Sequence, residues 1–174
     1  MIRRVLLFVI SMLWAGGLMT AFAQAPKTVT AQDKADIQAL VIAYARTLGT
    51  CAADEYADLF APQSGSFDSG FRGHVVGRER LIAMVQSERQ CAAPPAGAQP
   101  AARPGPSVVV DVTPAGVFGI ADLGGAGHYE DEYVKTPKGW GFAARTVITP
   151  AEQAAGLNAR DDRDPASRDR ARRR

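Results

Sequence analysis

The sequence predicts an α+β fold, with N-terminal helices packed on one face of an antiparallel sheet. Three observations carry this. Apolar residues recur at helical spacing in the first half, at Ile37, Leu40, Val41, Tyr44 and Leu48 and again at Leu81, Ile82, Met84 and Val85. Four strand-like segments fill the second half: "SVVVDV", "VFGIADL", "HYEDEYVK" and "WGFAARTVI". The two kinds of segment do not interleave, which sorts them as α+β rather than as alternating α/β units. A length of 174 residues suits one domain.

The first segment is expected to be removed. Met1 to Arg4 is a short basic start, "VLLFVISMLWAGGLM" is an apolar run, and "AFAQA" places Ala21 and Ala23 as an A-x-A cleavage site. This is the three-part pattern of a secretory signal peptide over residues 1–23, with Ala25 as the alternative cut. An uncleaved anchor is the competing reading, but the run is short beside the roughly 20 residues of a spanning helix. The mature protein is therefore expected in the periplasm or outside the cell. Residues 24–30 read as a linker, 31–150 as the domain, and 151–174 as a largely disordered basic tail without apolar side chains beyond its first part.

Removing the signal changes the charge. The whole chain has 20 basic and 18 acidic residues. Losing Arg3 and Arg4 leaves 18 of each, or zero net. Seven Arg against four Asp lie between Arg160 and Arg174, so the tail is +3 and the body −3. Basic residues confined to a tail do not make a nucleic-acid-binding face, and no nucleic acid partner is expected. Weak contact of the tail with an anionic membrane surface is the sharper alternative to a merely solvated end.

Thr30 is placed as the N-cap of the first helix, with Gln32, Asp33 and Asp36 in its opening turns and Gly49 as its stop. A second, short helix follows in "TCAADEYADLFAP", with Asp54 as cap, Tyr56, Leu59 and Phe60 as its apolar side, and Pro62 as terminator. "SGSFDSGFRGHVVG" reads as an extended stretch with a turn, and His74 as a solvent-exposed loop residue. The third helix starts near Gly77 and ends close to Cys91. Residues 92–106 hold five prolines and two glycines, which is a loop. Cys51 and Cys91 are the two cysteines. In an exported chain one disulfide is the simplest reading, against two buried thiols. No ligand spacing argues for a metal, and no cofactor is expected.

The turns between strands are "TPAG", "GGAG" and "TPKG". "TPKG" fits a type I turn with a one-residue bulge at Gly139, pairing Thr136 with Trp140. Counting back pairs Tyr133 with Ala143, Asp131 with Arg145, and Tyr129 with Val147. Alternation puts these on one face and puts His128, Glu130, Glu132, Val134, Phe142 and Ile148 on the other. The three consecutive acids therefore diverge, which weakens a metal site. Asp131 and Arg145 form a charge-assisted contact if their face is buried, and a structural ion pair is the plainer role for it.

"IQALVIAYARTLGT", "DEYADLFAPQSGSF", "GRERLIAMV" and "GHYEDEYVKTPKGWGFAAR" in this order resemble the SnoaL-like branch of the nuclear transport factor 2-like superfamily, over roughly Ala31 to Ile148. The resemblance implies a cone-shaped α+β barrel, a curved antiparallel sheet around a long helix enclosing an apolar cavity, often in a homodimer. It also implies two kinds of function. One is a small apolar ligand or a partner held in the cone. The other is lyase or isomerase chemistry of the dehydratase or ketosteroid-isomerase kind, with an aspartate or histidine as acid/base. Here Gly49 stands where an aspartate often follows the first helix, and the first two strands in the second half carry no histidine. Tyr44, Tyr129, Asp131 and Arg145 are the polar candidates for the cavity, and His128, on the opposite face, is the weaker one. Arg145 is expected to lower the pKa of Asp131 and make it a poor base near neutrality. These departures favour binding over catalysis, and neither ligand nor reaction is named by the sequence.

Overall fold

A computed structural model describes residues 28–88, 91, 107–113 and 115–156. The expected signal peptide, most of the linker, the proline-rich loop and the tail beyond Gly156 lie outside the described residues. Helix α1 spans Ala31–Gly49 and α2 spans Ala53–Asp58. Strands β1 (Ser66–Ser69) and β2 (Gly73–Val76) form a hairpin before helix α3 (Arg78–Gln86). The second half holds β3 (Val108–Thr113), β4 (Gly116–Asp122), β5 (His128–Thr136), β6 (Gly139–Ile148) and a short helix α4 (Pro150–Ala154). All four expected second-half strands are present, and "SGSFDSGFRGHVVG" is a hairpin that carries His74 on a strand rather than in a loop.

Among the described residues, six strands form one open sheet in the order β2-β1-β6-β5-β4-β3. Every pairing is antiparallel except β1 with β6, which is parallel. The sheet is therefore mixed rather than wholly antiparallel. Its inner face packs on α1: Ile37, Leu40, Val41 and Tyr44 share one buried cluster with Val117, Ala121, Tyr129, Tyr133 and Phe142. The helical spacing read from the sequence is what turns these four side chains to the sheet.

Thr30 caps α1 as expected, in a capping box with Asp33. The chain leaves the helix differently. Gly49 is its last residue, but the left-handed position is Cys51, with φ 58, two residues further on. Asp54 does not cap α2; Ala52 holds that place without a side-chain bond, and Asp54 lies in the first turn. Cys51 and Cys91 are joined in a disulfide, their Cα atoms 5.4 Å apart. This ties the end of α1 to the chain just beyond α3.

The β5–β6 hairpin has the expected pairs Asp131–Arg145 and Tyr129–Val147, but a different turn. Thr136 pairs with Gly139, Lys135 with Trp140 and Tyr133 with Phe142, and the irregularity falls between Glu132 and Tyr133, where Ala143 is passed over. The extra residue in β6 is thus Ala143 and not Gly139. Phe142 consequently lies on the inner face with Tyr133, not on the outer face. The cause is long-range. Phe142 donates its N–H to Leu59 O at 2.9 Å, and its carbonyl accepts from Ala61 N at 2.8 Å. This peptide must turn toward the segment after α2, and a bulge is the device that permits it.

Candidate functional site

The inner face of the hairpin brings four of the five expected site residues together. Tyr44 descends from α1, Tyr129 and Asp131 rise from β5, and Arg145 comes from β6. Arg145 Nε donates to Asp131 Oδ1 at 2.8 Å and Nη2 donates to Oδ2 at 3.0 Å. Both side chains are fully buried. The pair is bidentate, the strongest geometry open to these groups. Tyr133 OH adds a third bond, donating to Asp131 Oδ2 at 2.8 Å.

Aromatic rings enclose the cation. The guanidinium carbon lies 4.0 Å from the Tyr44 ring centre, 3.9 Å from that of Tyr129 and 4.4 Å from that of Phe142. Attraction of a desolvated cation to aromatic faces is worth about 2 kcal/mol or more per good contact. Tyr44 also packs against Tyr56 and Phe60, and Tyr56 OH lies 3.5 Å from Tyr44 OH, at the limit of a hydrogen bond. All of these rings are buried between α1, α2 and the strands. One polar atom there is unmatched: Arg145 Nη1 is buried with no hydrogen-bond partner among the described residues.

A neighbouring glycine makes room for the tyrosine. Gly119 on β4 pairs with Asp131, and a Cβ at that position would stand 2.7 Å from Tyr133 Cε2 and 2.9 Å from its hydroxyl oxygen. The Tyr133 ring leans over this gap to reach Asp131, two residues earlier on the same face.

The electrostatics differ from the simple expectation. Burial pushes the Asp131 carboxyl above its ordinary value, although Arg145 and the Tyr133 hydroxyl pull the other way. Burial works most strongly against the Arg145 cation, but Asp131, Tyr44 and Tyr129 together offset it and the arginine pKa ends raised. Burial is likewise the main reason why Tyr44, Tyr56 and Tyr133 are held neutral well beyond the usual range. Arg145 therefore does not by itself depress Asp131, because removing a carboxylate from water costs more than the pairing returns. Asp131 is a poor base for another reason: Arg145 and Tyr133 occupy both its oxygens.

His128 stays apart. It is on the outer face, with Nε2 3.3 Å from Glu130 Oε1. His74 is also outside, with Nδ1 3.0 Å from Asp68 Oδ2. No group of three His, Cys, Asp or Glu side chains suited to a metal occurs among the described residues.

Three residues of the site escaped the sequence reading. Tyr133 carries a signal, since it is two positions from Asp131 and so shares its face. Phe142 was hidden by the bulge. Asp33 looked like a capping residue only, but its Oδ1 also accepts from Trp140 Nε1 at 2.9 Å and pairs with Lys135 Nζ at 2.7 Å. It pins the start of α1 to the hairpin. Lys135, then Thr30 and Trp140, hold the Asp33 carboxyl well below the usual carboxylate range.

A SnoaL-like domain family model matches residues 29–117, slightly more than half of the chain. The protein belongs to the SnoaL-like domain family. Solved structures agree on the fold. An NTF2-like protein with a cystatin-like fold from Novosphingobium aromaticivorans superposes with a TM-score of 0.51 at 15% identity, over 73% of this chain and 90% of that one. A protein from Catenulispora acidiphila gives 0.52 at 19% identity, over 70% and 94%. ActVI-ORFA from Streptomyces coelicolor gives 0.52 at 13% identity, over 67% and 96%. No curated protein matches the sequence. The SnoaL-like match ends at Val117, before the strands that carry Asp131 and Arg145. The match therefore fixes the family and leaves the chemistry of the site to its own geometry.

Proposed function

We propose that this SnoaL-like protein is an exported binding module. It holds a small, largely apolar molecule that presents one acceptor oxygen to Arg145 Nη1. The observation that carries the reading is that buried donor, unmatched among the described residues and ringed by Tyr44, Tyr129 and Phe142. A buried polar group without a partner costs about 1–3 kcal/mol, and more when charged. An acceptor brought by a ligand removes that cost, and the rings supply apolar contact for its body. Tyr129, at 8% exposure the most accessible of the three rings, must swing aside to admit it. The disulfide supports an oxidising compartment, periplasmic or extracellular. No helix among the described residues is long and apolar enough to cross a membrane. A homodimer is the expected assembly on the family resemblance.

The test is mass spectrometry of small molecules retained by the mature protein, compared with its Tyr129→Trp variant. The reading expects a stoichiometric compound bearing a carbonyl or carboxyl oxygen, absent from the variant while the variant stays folded. Retention of nothing, together with no thermal shift from a panel of cyclic ketones, would defeat it.

The raised pKa of Asp131 supports a second reading, a lyase or isomerase with Asp131 as base. It requires Asp131 to be released from Arg145, because a base must reach the proton it takes. Proton exchange alpha to the carbonyl of a bound ketone in deuterated water, lost in Asp131→Asn, would favour this reading over simple binding.

A further inference from the structure

A second site lies between helix α3 and the β1–β2 hairpin. A cleft of about 330 Å³ is lined there by Arg72, Val75, Arg80, Ala83, Met84 and Ser87. Arg80, Ala83, Met84 and Ser87 stand at i, i+3, i+4 and i+7, so they form one stripe of α3. Val75 faces them from β2, and Arg72 comes from the hairpin turn. The floor is apolar and the two ends are cationic.

The two arginines are not equivalent. Arg72 is ion-paired with Glu88, and its Nη1 donates to Ser87 Oγ at 3.3 Å. Ser87 Oγ in turn donates to Met84 O at 2.7 Å. Arg80 is exposed and makes no ion pair or hydrogen bond among the described residues. Among the described residues, the cleft thus carries one uncompensated positive charge. Beside it, Phe71 is 88% exposed at the hairpin tip, and the Arg72 guanidinium lies 5.0 Å from its ring centre. A cation without a partner among the described residues and an apolar floor occur in one cleft, and an exposed aromatic ring stands beside it on Arg72.

We propose that this cleft binds a small amphiphile with a single negative charge, such as a medium-chain carboxylate. Arg80 takes the head group at one end of the cleft, because Arg72 at the other is already committed to Glu88 and Ser87. The body lies on Val75, Ala83 and Met84, where the flexible thioether adapts to its shape, and covers Phe71. One free cation selects a monoanion over a dianion. The volume, near the lower end of about 300–1,000 Å³ for ligand sites, selects a short body over a long one. The site is separate from the Arg145 centre and does not depend on the reading of it.

The experiment is an amide-shift titration of the ¹⁵N-labelled mature protein with octanoate, octanol and inorganic phosphate. Octanoate should move signals of residues 71–75 and 80–87 saturably, at least tenfold more tightly than octanol or phosphate. Arg80→Glu should weaken octanoate at least tenfold with the melting temperature unchanged. Ala83→Phe, which fills the floor, should abolish binding. Equal affinity for octanol makes the cleft merely greasy, and equal affinity for phosphate makes it a plain anion site; either result overturns the proposal. So does undiminished binding to Arg80→Glu, or a response centred on Tyr129 and Arg145 instead.

Discussion

Removing the carboxylate of Asp131 should harm this protein more than removing the cation it pairs with. Asp131→Ala strands the Arg145 guanidinium among Tyr44, Tyr129 and Phe142. Arginine does not give up its proton in a protein, so the charge remains buried and unpaired. Breaking a buried pair from one side costs about 3–5 kcal/mol. That is a large part of the roughly 5–15 kcal/mol by which a domain is stable. Arg145→Met leaves Asp131 behind, but a carboxyl can take up a proton. Burial already pushes its pKa upward, and Tyr133 still reaches it at 2.8 Å. Methionine also packs well against the three rings. We expect Arg145→Met to cost about 1–2 kcal/mol less than Asp131→Ala. The double variant Asp131→Ala/Arg145→Met strands neither charge and puts apolar volume in place of the guanidinium; it should fall within about 2 kcal/mol of the parent, since replacing both partners of a buried pair is often neutral.

The assay is urea denaturation at neutral pH, followed by circular dichroism and by the fluorescence of Trp140. Equal m values across the four proteins license the comparison. The cycle should return a coupling of about 3 kcal/mol or more, because the single losses cannot add. Additivity within about 0.5 kcal/mol, or Asp131→Ala proving milder than Arg145→Met, would refute the argument that the stranded charge dominates.

Three further outcomes are expected. Gly119→Ala should cost about 1–3 kcal/mol by overpacking, because its methyl meets the Tyr133 ring and hydroxyl at under 3 Å; a loss of the Tyr133–Asp131 bond in its crystal structure checks the cause. The Asp33 carboxyl has a folded pKa below its unfolded value near 3.8, so the unfolded chain binds more protons in that interval and stability rises with pH through it. This contribution is whole above about pH 5 and lost as pH falls further; Asp33→Asn should flatten the acid limb of a pH–stability curve. Replacing Cys51 and Cys91 by Ser opens a loop of sequence separation 40 and should lower stability by about 4 kcal/mol on the chain-entropy argument; the parent under dithiothreitol should match the variant.

What the sequence revealed was local. Helical spacing from Ile37 to Leu48, the Thr30 cap and four strands bounded by turns are written in short windows, and all are present. The Asp131–Arg145 pair was legible because the hairpin needs one extra residue in β6, wherever that residue falls. Placing it at Gly139 or at Ala143 gives the same partners from Arg145 onward. Between those two positions the registers differ, and Phe142 changes faces. The deciding contacts are those of Phe142 with Leu59 and Ala61, about 80 residues distant. Nothing near Phe142 encodes them. The same holds for Asp33, which satisfies a local capping rule completely while also binding Trp140 and Lys135, and for the Gly119 gap that admits Tyr133.

The geometry at Arg145 joins the two readings of function in sequence rather than setting them against each other. Asp131 accepts from Nε on one oxygen and from Nη2 and Tyr133 on the other, so it offers a substrate nothing while the pair is closed. A ligand that binds only through Nη1 leaves the pair intact, and the protein is then a binder. A ligand whose oxygen draws the guanidinium away from Asp131 does two things at once. It withdraws the cation that opposed the upward pull of burial on the carboxyl pKa, and it frees an oxygen. On the two readings proposed above, the distinction between a carrier and an isomerase rests on how far a bound oxygen would pull Arg145 from Asp131, and not on which residues are present.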